Sequence, residues 1–213
     1  MKDLSNYRKT YQKASLLEKE VPENPMELFQ KWFFEAEQYE SGEANAMNLA
    51  TIGLDGYPKN RIVLLKKFTW EGFVFYTNYN SEKGQAITQN NKVCLSFFWQ
   101  GLERQIIIKG NAEKLPENLS DGYFESRPEG SKIGAWASNQ SKPIETREKL
   151  DEKLKSFEKK FKNTDIPRPK NWGGFLIKPV SMEFWQGRPN RMHDRILFTL
   201  KKDFNWKIQR LQP

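Results

Sequence analysis

The sequence predicts a mainly β protein, an antiparallel barrel with added helices. Three observations predict it. Short strand-like runs follow one another from residue 46 to residue 115. Tight-turn signals, Asp55-Gly56 and Trp70-Glu71-Gly72 among them, separate these runs. The long helical stripes stand apart from them. Successive short strands with helices set aside argue for a barrel rather than for alternating βα units.

Residues 1–24 read as an arm without apolar periodicity, ending in Val21-Pro22-Glu23-Asn24-Pro25. The first helix is expected from Pro25 to Tyr39, with Asn24 as N-cap and Pro25 at the first helical position. Phe29, Trp32, Phe33 and Ala36 make its core stripe. After Ser41-Gly42 the pattern changes to strands: Ala46 to Leu54, Pro58 to Phe68 and Phe73 to Asn78. Ser81 can cap a short helix to about Asn90. Val93 to Gln100 and Arg104 to Leu115 follow, joined at Gly101-Leu102. A mostly helical section spans Glu117 to Phe161, with Leu150, Leu154, Phe157 and Phe161 on one stripe. Strands return at Trp172 to Lys178, Ser181 to Gln186, Arg195 to Leu200 and Trp206 to Leu211. Neither a repeat nor a linker divides residues 25–213, which read as a single domain.

Composition narrows the function classes. The 213-residue chain can bury roughly 70% of its unfolded surface, so no disulfide or metal is needed to hold a core. One Cys, Cys94, and one His, His193, cannot supply a usual metal-ligand set. Cys94 lies in the apolar run Val93 to Trp99, which suits a buried, inert thiol. Met1 to Glu20 is polar and lacks a signal-peptide core, so a cytoplasmic protein is expected. The net charge of +8 admits nucleic acid, a membrane surface or anionic small molecules as partners. The basic residues are scattered, however, and the run Lys149 to Lys162 alternates with glutamates, as a solvated helix face does. Neither nucleic acid nor membrane is expected as a partner.

The chemistry-bearing groups are several hydroxyl-plus-cation clusters and one histidine. If extended, Arg191, His193 and Arg195 share a face, which would make an anion-seeking surface with one proton-transfer group. A solvated basic strand end accounts for the same spacing. Arg61-Ile62-Val63-Leu64-Leu65-Lys66 puts cations at both ends of an apolar run. By strand parity Arg61 and Lys66 point to opposite faces. Thr77, Ser81 and Lys83 stand where a strand passes into a helix N-terminus, a phosphate-attracting place; a plain Ser N-cap with a solvated lysine fits equally. Tyr123, Arg127 and Ser131 can converge on one phosphate across a helix end, or be a helix terminus with an Arg complementing its dipole. Trp136-Ala137-Ser138-Asn139-Gln140-Ser141 carries uncharged donors and acceptors suited to a heterocycle, or forms a plain loop. Two phosphate sites, for a cofactor and a substrate, fit these clusters better than one. No Ser or Cys has a nearby His, so a hydrolase triad has little support. Redox power would come from a bound cofactor.

Together these segments resemble the pyridoxine/pyridoxamine 5′-phosphate oxidase family over nearly the whole chain. The resemblance rests on Arg61 to Lys66, Phe75 to Asn78, Leu102-Glu103-Arg104-Gln105, Tyr123 to Pro128, Ile133 to Trp136, Gln140-Ser141, Trp172 to Phe175, and Glu183 to Gly187 with Arg191 to Arg195. It implies a split β-barrel homodimer with FMN in clefts between subunits. It implies hydride transfer from C4′ of the phosphorylated vitamin, with molecular oxygen as final acceptor and pyridoxal 5′-phosphate and H2O2 as products.

By position, the resemblance implies that Arg61 and Lys83 hold the FMN phosphate. The backbone of Ile62, Val63, Leu64 and Leu65, continuing to Lys66, would line the flavin with Tyr76, Thr77 and Gln105; Ser81 completes the cradle. Gln140, Ser141, Trp185 and Arg195 would arrive from the partner subunit. Lys66, Tyr123, Arg127 and Ser131 would bind the substrate phosphate, and Arg191 and His193 would position C4′. An aligning role for His193 fits at least as well as a general-base role. Arg8 and Tyr11 match a pair in the family's mobile arm. Glu82 departs from the family, which often has a cation there, and is expected to turn to solvent. The arm also lacks the arginine run some members carry, Leu17-Glu18-Lys19 standing there. The rival readings are a flavin-binding split barrel of other specificity and a nucleic-acid module. The presence of Lys66, Tyr123, Arg127, Ser131, Arg191 and His193 argues against the first; salt-dependent nucleic-acid binding without a yellow colour would favour the second.

Overall fold

The computed structural model describes residues 1–40 and 42–213, so Ser41 of the Ser41-Gly42 break lies outside the described residues. Among them, nine strands join in one sheet, β1 (Ala46–Ile52), β2 (Pro58–Leu64), β3 (Lys67–Thr69), β4 (Gly72–Asn78), β5 (Lys92–Trp99), β6 (Arg104–Lys114), β7 (Trp172–Gln186), β8 (Asp194–Leu200) and β9 (Trp206–Leu211). The order is β2-β1-β5-β6-β7-β4-β3, with β8 pairing β7 and β9 pairing β8. Five helices accompany them: α1 (Pro25–Tyr39), α2 (Glu82–Gln89), α3 (Glu117–Glu125), α4 (Glu129–Ala137) and α5 (Arg147–Lys160). The curled antiparallel sheet with helices is the expected split-barrel class. No helix among the described residues is long and apolar enough to cross a membrane.

The chain forms two compact units. The first holds Met1–Leu49, Cys94–Gly110 and Pro179–Pro213. Its core begins with α1, where the Asn24 side chain accepts from Met26 N at 2.9 Å and Pro25 opens the helix. Phe29, Trp32, Phe33 and Ala36 are buried, as the helical stripe requires. Phe29 meets Phe97 of β5 at 5.4 Å between centroids, and Trp32 meets Phe184 of β7 at 5.3 Å. Strand alternation supplies the facing layer: Leu95, Phe97 and Trp99 point inward, while Phe98 points out. Each such aromatic pair adds about 0.5–1.5 kcal/mol beyond its buried area.

The second unit holds Ala50–Val93 and Asn111–Lys178. Here β4 pairs antiparallel with the first half of β7, from Phe73 opposite Ile177 to Asn78 opposite Trp172. Ser81 caps α2 as expected, accepting from Gly84 N at 3.3 Å. Phe157 of α5 and the adjacent Phe161 pack on Trp136 of α4. Trp136 is thus spent on helix packing, and its Nε1 donates to Pro167 O at 2.8 Å.

Three expectations are corrected. Pro58 to Phe68 is not one strand, because β2 ends at Leu64 and β3 begins at Lys67. Trp172 to Gln186 is one strand rather than two. Pro179 is tolerated inside it because it falls between Ile177, the last partner of β4, and Ser181, the first partner of β8. Finally, Arg191 to Arg195 is not extended throughout. Pro189–Arg191 is a short 3-10 turn in which Asn190 and Arg191 take left-handed φ values of 57° and 61°. The same-face argument for Arg191, His193 and Arg195 therefore fails.

Candidate active site

In the second unit the end of β2, the end of β4, α3, α4 and the loop after α4 enclose a cavity of about 630 Å³. Its lining carries four cations, Arg61, Lys66, Lys83 and Arg127, and no carboxylate. The strand break explains how Arg61 and Lys66 share it. Strand parity stops at Leu64, Leu65 turns into the core, and Lys66 leaves the strand with its N–H donating to Val74 O at 2.8 Å.

One cluster gathers at the start of α2. Arg61 Nη1 donates to Thr51 Oγ1 at 2.8 Å, and Lys83 Nζ donates to Thr77 Oγ1 at 3.4 Å. Thr77 Oγ1 in turn donates to Gln140 Oε1 at 3.2 Å. Burial and the neighbouring Arg61 push the Lys83 ammonium below its ordinary value, against a smaller opposing pull from Glu82. Burial lowers Arg61 as well. Both shifts mark a place that favours an incoming anion. Ser81 adds no free hydroxyl here. It is fully buried, and its Oγ donates to Asn78 O at 2.6 Å besides capping α2. Ser141, at φ 69°, lines a smaller space of about 310 Å³ with Lys59, Asn60, Arg61, Glu82 and Lys83. Glu82 pairs there with Lys59, which also reaches Asp55 at 3.2 Å.

A second cluster is aromatic and cationic. Tyr123 of α3, Arg127 between α3 and α4, and Ser131 in the first turn of α4 all reach the cavity. Tyr76 stacks on Tyr123 at 3.9 Å and on Trp172 at 5.5 Å. Gly174 permits this, because a Cβ there would lie 2.8 Å from Tyr76 Cε1 and 2.5 Å from Leu115 Cδ1. The Arg127 guanidinium sits 4.5 Å over Trp172, and its Nη1 is buried without a hydrogen-bond partner. A buried guanidinium nitrogen with no acceptor, beside a tyrosine and a serine, suits the oxygens of a phosphate.

The remaining expected residues belong to the first unit. Trp185 of β7 stands opposite Arg195 of β8, and its ring lies 4.6 Å from His193. Tyr11 completes a three-ring group, 5.7 Å from Trp185 and 5.9 Å from His193. The Arg188 N–H donates to His193 Nδ1 at 3.1 Å, so the neutral ring carries its proton on Nε2. Burial and then Arg191 lower the His193 pKa, with Asp194 opposing. Asp194 itself accepts from Leu16 N at 3.1 Å and Arg210 Nη1 at 2.8 Å. Arg195 Nε donates to Glu183 Oε1 at 2.8 Å. Arg191 is exposed in its left-handed turn, and Gln105 of β6 is half-buried. Arg8 is exposed, with its Nε donating to Ser5 O at 3.3 Å.

Several placements differ from the sequence reading. Gln140 and Ser141 were expected from a partner subunit, yet Gln140 lines the cavity of its own chain beside Thr77 and Ser141 borders Arg61 and Lys83. Leu65 and Gln105, expected along the flavin, do not line the cavity. Ser138 of the Trp136 to Ser141 segment lines the cavity as the sequence reading allows, while that reading assigns no role to Asn78 or Trp172, which line it too. Trp172 was visible as the first residue of Trp172-Gly173-Gly174-Phe175, where adjacent glycines signalled close approach of other side chains.

An antiparallel split barrel with a cation-lined, carboxylate-free cavity defines a class of protein suited to anionic small molecules. Comparison with known proteins sharpens that class. Residues 34–160 match the family model described as pyridoxamine 5′-phosphate oxidase. Residues 172–213 match the pyridoxine 5′-phosphate oxidase C-terminal dimerisation region. The chain is 62% identical to the pyridoxine/pyridoxamine 5′-phosphate oxidase of Flavobacterium psychrophilum, with 100% of each chain covered. It is 49% identical to that of Nostoc sp., over 99% of this chain and 98% of the relative. Among solved structures, PhzG from Burkholderia lata, in complex with tetrahydrophenazine-1-carboxylic acid, superposes with a TM-score of 0.86 at 28% identity, covering 93% of this chain and 98% of that one. The chain belongs to the pyridoxine/pyridoxamine 5′-phosphate oxidase family and is an oxidoreductase.

Proposed function

We propose that this enzyme oxidises pyridoxine 5′-phosphate and pyridoxamine 5′-phosphate at C4′ to pyridoxal 5′-phosphate, using bound FMN and molecular oxygen. The alcohol and O2 yield the aldehyde and H2O2; the amine, O2 and water yield the aldehyde, ammonia and H2O2. The observation that carries the reading is the cavity lining, with four cations and no carboxylate. That set suits two phosphate groups, one of a cofactor and one of a substrate. A relative from Nostoc punctiforme with a TM-score of 0.71 is described as FMN-binding, and at 14% identity it supports the fold alone.

The residues present fit FMN. Arg61, Lys83 and the N-terminus of α2 would hold its phosphate, with Ser141 beside them. The backbone of Ile62 to Leu64, with Thr77 and Gln140, would line its ring. Bound FMN supplies two-electron redox chemistry that no side chain here offers. Lys66, Tyr123, Arg127 and Ser131 would hold the substrate phosphate and so set the depth of the pyridine ring. In the proposed homodimer, a second copy brings Trp185, Arg191, His193 and Arg195 to each cavity, which agrees with the match of residues 172–213 to a dimerisation region. His193, neutral and donating from Nε2, then orients the C4′ substituent, and Arg191 holds the ring.

The test is the visible spectrum of the purified enzyme followed by peroxide release. A yellow protein that releases peroxide with either phosphorylated vitamer, and far less with phosphate-free pyridoxine, is the expected result. A yellow protein that releases none with either would move the reading to a flavin-binding split barrel of other specificity. A colourless protein that takes up no FMN would end it.

A further inference from the structure

We propose that Glu103 is a positioning residue, whose buried carboxylate latches the N-terminal arm and thereby seats Tyr11 against Trp185 and His193. Glu103 is 2% exposed and takes a left-handed φ of 56° at the turn between β5 and β6. Its Oε2 accepts from two successive backbone N–H groups of the arm, Gln12 at 2.8 Å and Lys13 at 3.0 Å. A carboxylate accepting from backbone N–H groups makes charge-assisted bonds, stronger than neutral ones. Tyr11 immediately precedes this pair, so the latch sets where its ring lies.

The latch is held from behind. Glu103 O accepts from Gly187 N at 2.8 Å and from Gln186 Nε2 at 3.2 Å, and Gln186 Oε1 accepts from Arg104 Nε at 2.9 Å. Gly187 leaves room for the arm, since a Cβ there would lie 2.7 Å from Tyr11 Cβ. The next residue ties the arm to the histidine. Arg188 Nη1 donates to Ala14 O at 3.1 Å, while its N–H holds His193 Nδ1. Arm and histidine therefore share one turn, and Glu103 holds the arm's register on it. The consequence for catalysis rests on the proposed role of His193.

The test uses the full-length FMN-loaded enzyme and Glu103→Gln, Tyr11→Ala, the double variant and Gly187→Ala. Glu103→Gln removes the negative charge and should open the arm. Losing charge-assisted bonds predicts trypsin cleavage after Lys13 at least about tenfold faster. KM for pyridoxine 5′-phosphate should rise by a similar factor, with bound FMN unchanged. The double variant should have a KM no worse than Tyr11→Ala alone, because Glu103→Gln acts by unseating the ring that Tyr11→Ala removes. Gly187→Ala, which leaves the carboxylate intact and crowds Tyr11, should reproduce the faster cleavage. Unchanged cleavage in both Glu103→Gln and Gly187→Ala would overturn the latch. Additive effects of Glu103→Gln and Tyr11→Ala on kcat/KM would overturn action through Tyr11. Should the unaltered enzyme release no peroxide, the proposed function fails, while the cleavage rates still decide the latch.

Discussion

Replacing Arg127 by Met separates binding from stability, because its guanidinium serves the two in opposite directions. The guanidinium lies 4.5 Å over Trp172 and 5.5 Å from Phe124, and its Nη1 is buried with no acceptor. Met keeps much of the packing on Trp172 and discards the charge. Loss of the cation–π contact costs about 0.5–2 kcal/mol. Removal of a buried donor that lacks a partner returns about 1–3 kcal/mol. The two nearly cancel, so the melting temperature of the ligand-free protein should stay level or rise slightly. Binding of a phosphorylated ligand should weaken. One lost charge-assisted hydrogen bond is worth about 1.5–3 kcal/mol, or roughly 10- to 150-fold in Kd. Calorimetric titration of the FMN-loaded enzyme with pyridoxal 5′-phosphate measures this without turnover, and a thermal scan measures stability. An unchanged Kd would refute the phosphate role. A large fall in melting temperature would refute the claim that Arg127 is held at a cost to the fold.

Glu82→Gln should tighten FMN by about two- to fivefold, since it removes a partly exposed carboxylate bordering the space shared by Arg61 and Lys83. Fluorescence titration of FMN at low and high salt checks this, and weaker binding at low salt would refute it. The single histidine gives one imidazole signal in an NMR titration. Its midpoint should lie below the ordinary 6.5, as burial and Arg191 disfavour the imidazolium. By linkage, the unfolded chain then takes up the proton first, so stability falls as pH drops from 6.5 toward the lowered value. Arg191→Gln should move the midpoint upward; a midpoint at or above 6.5 in the unaltered protein would refute this reading.

Local rules carried much of the fold. Asn24-Pro25 and Ser81 announce α1 and α2 because capping is settled within a few residues. Alternation announces β5 because Leu95, Phe97 and Trp99 answer to one buried face. The failures are places where partners distant in sequence decide. Pro179 looks like a strand end until β7 exchanges β4 for β8 around it. Parity set Arg61 and Lys66 on opposite faces because nothing local marks the end of β2 at Leu64. The extended reading of Arg191 to Arg195 failed at the left-handed Asn190 and Arg191, a turn braced by Arg188 and Pro189. Of the candidate site, residue types were legible and groupings were not. Gln140 beside Thr77 and the hold of Glu103 on the arm depend on contacts across 63 and about 90 residues of chain.

The cation-lined cavity also makes folding answer to supply. Arg61, Lys66, Lys83 and Arg127 face one space without a carboxylate among them, and their mutual repulsion weakens the fold that gathers them. An anion that binds only the folded chain repays this by mass action. At a concentration of about 100 times its Kd it adds roughly 2.7 kcal/mol. A gain of that size is a large part of the stability of an ordinary domain. With FMN as that anion, as proposed, a cell short of it would hold less of this enzyme as well as slower enzyme, because the unloaded chain opens more often to proteases.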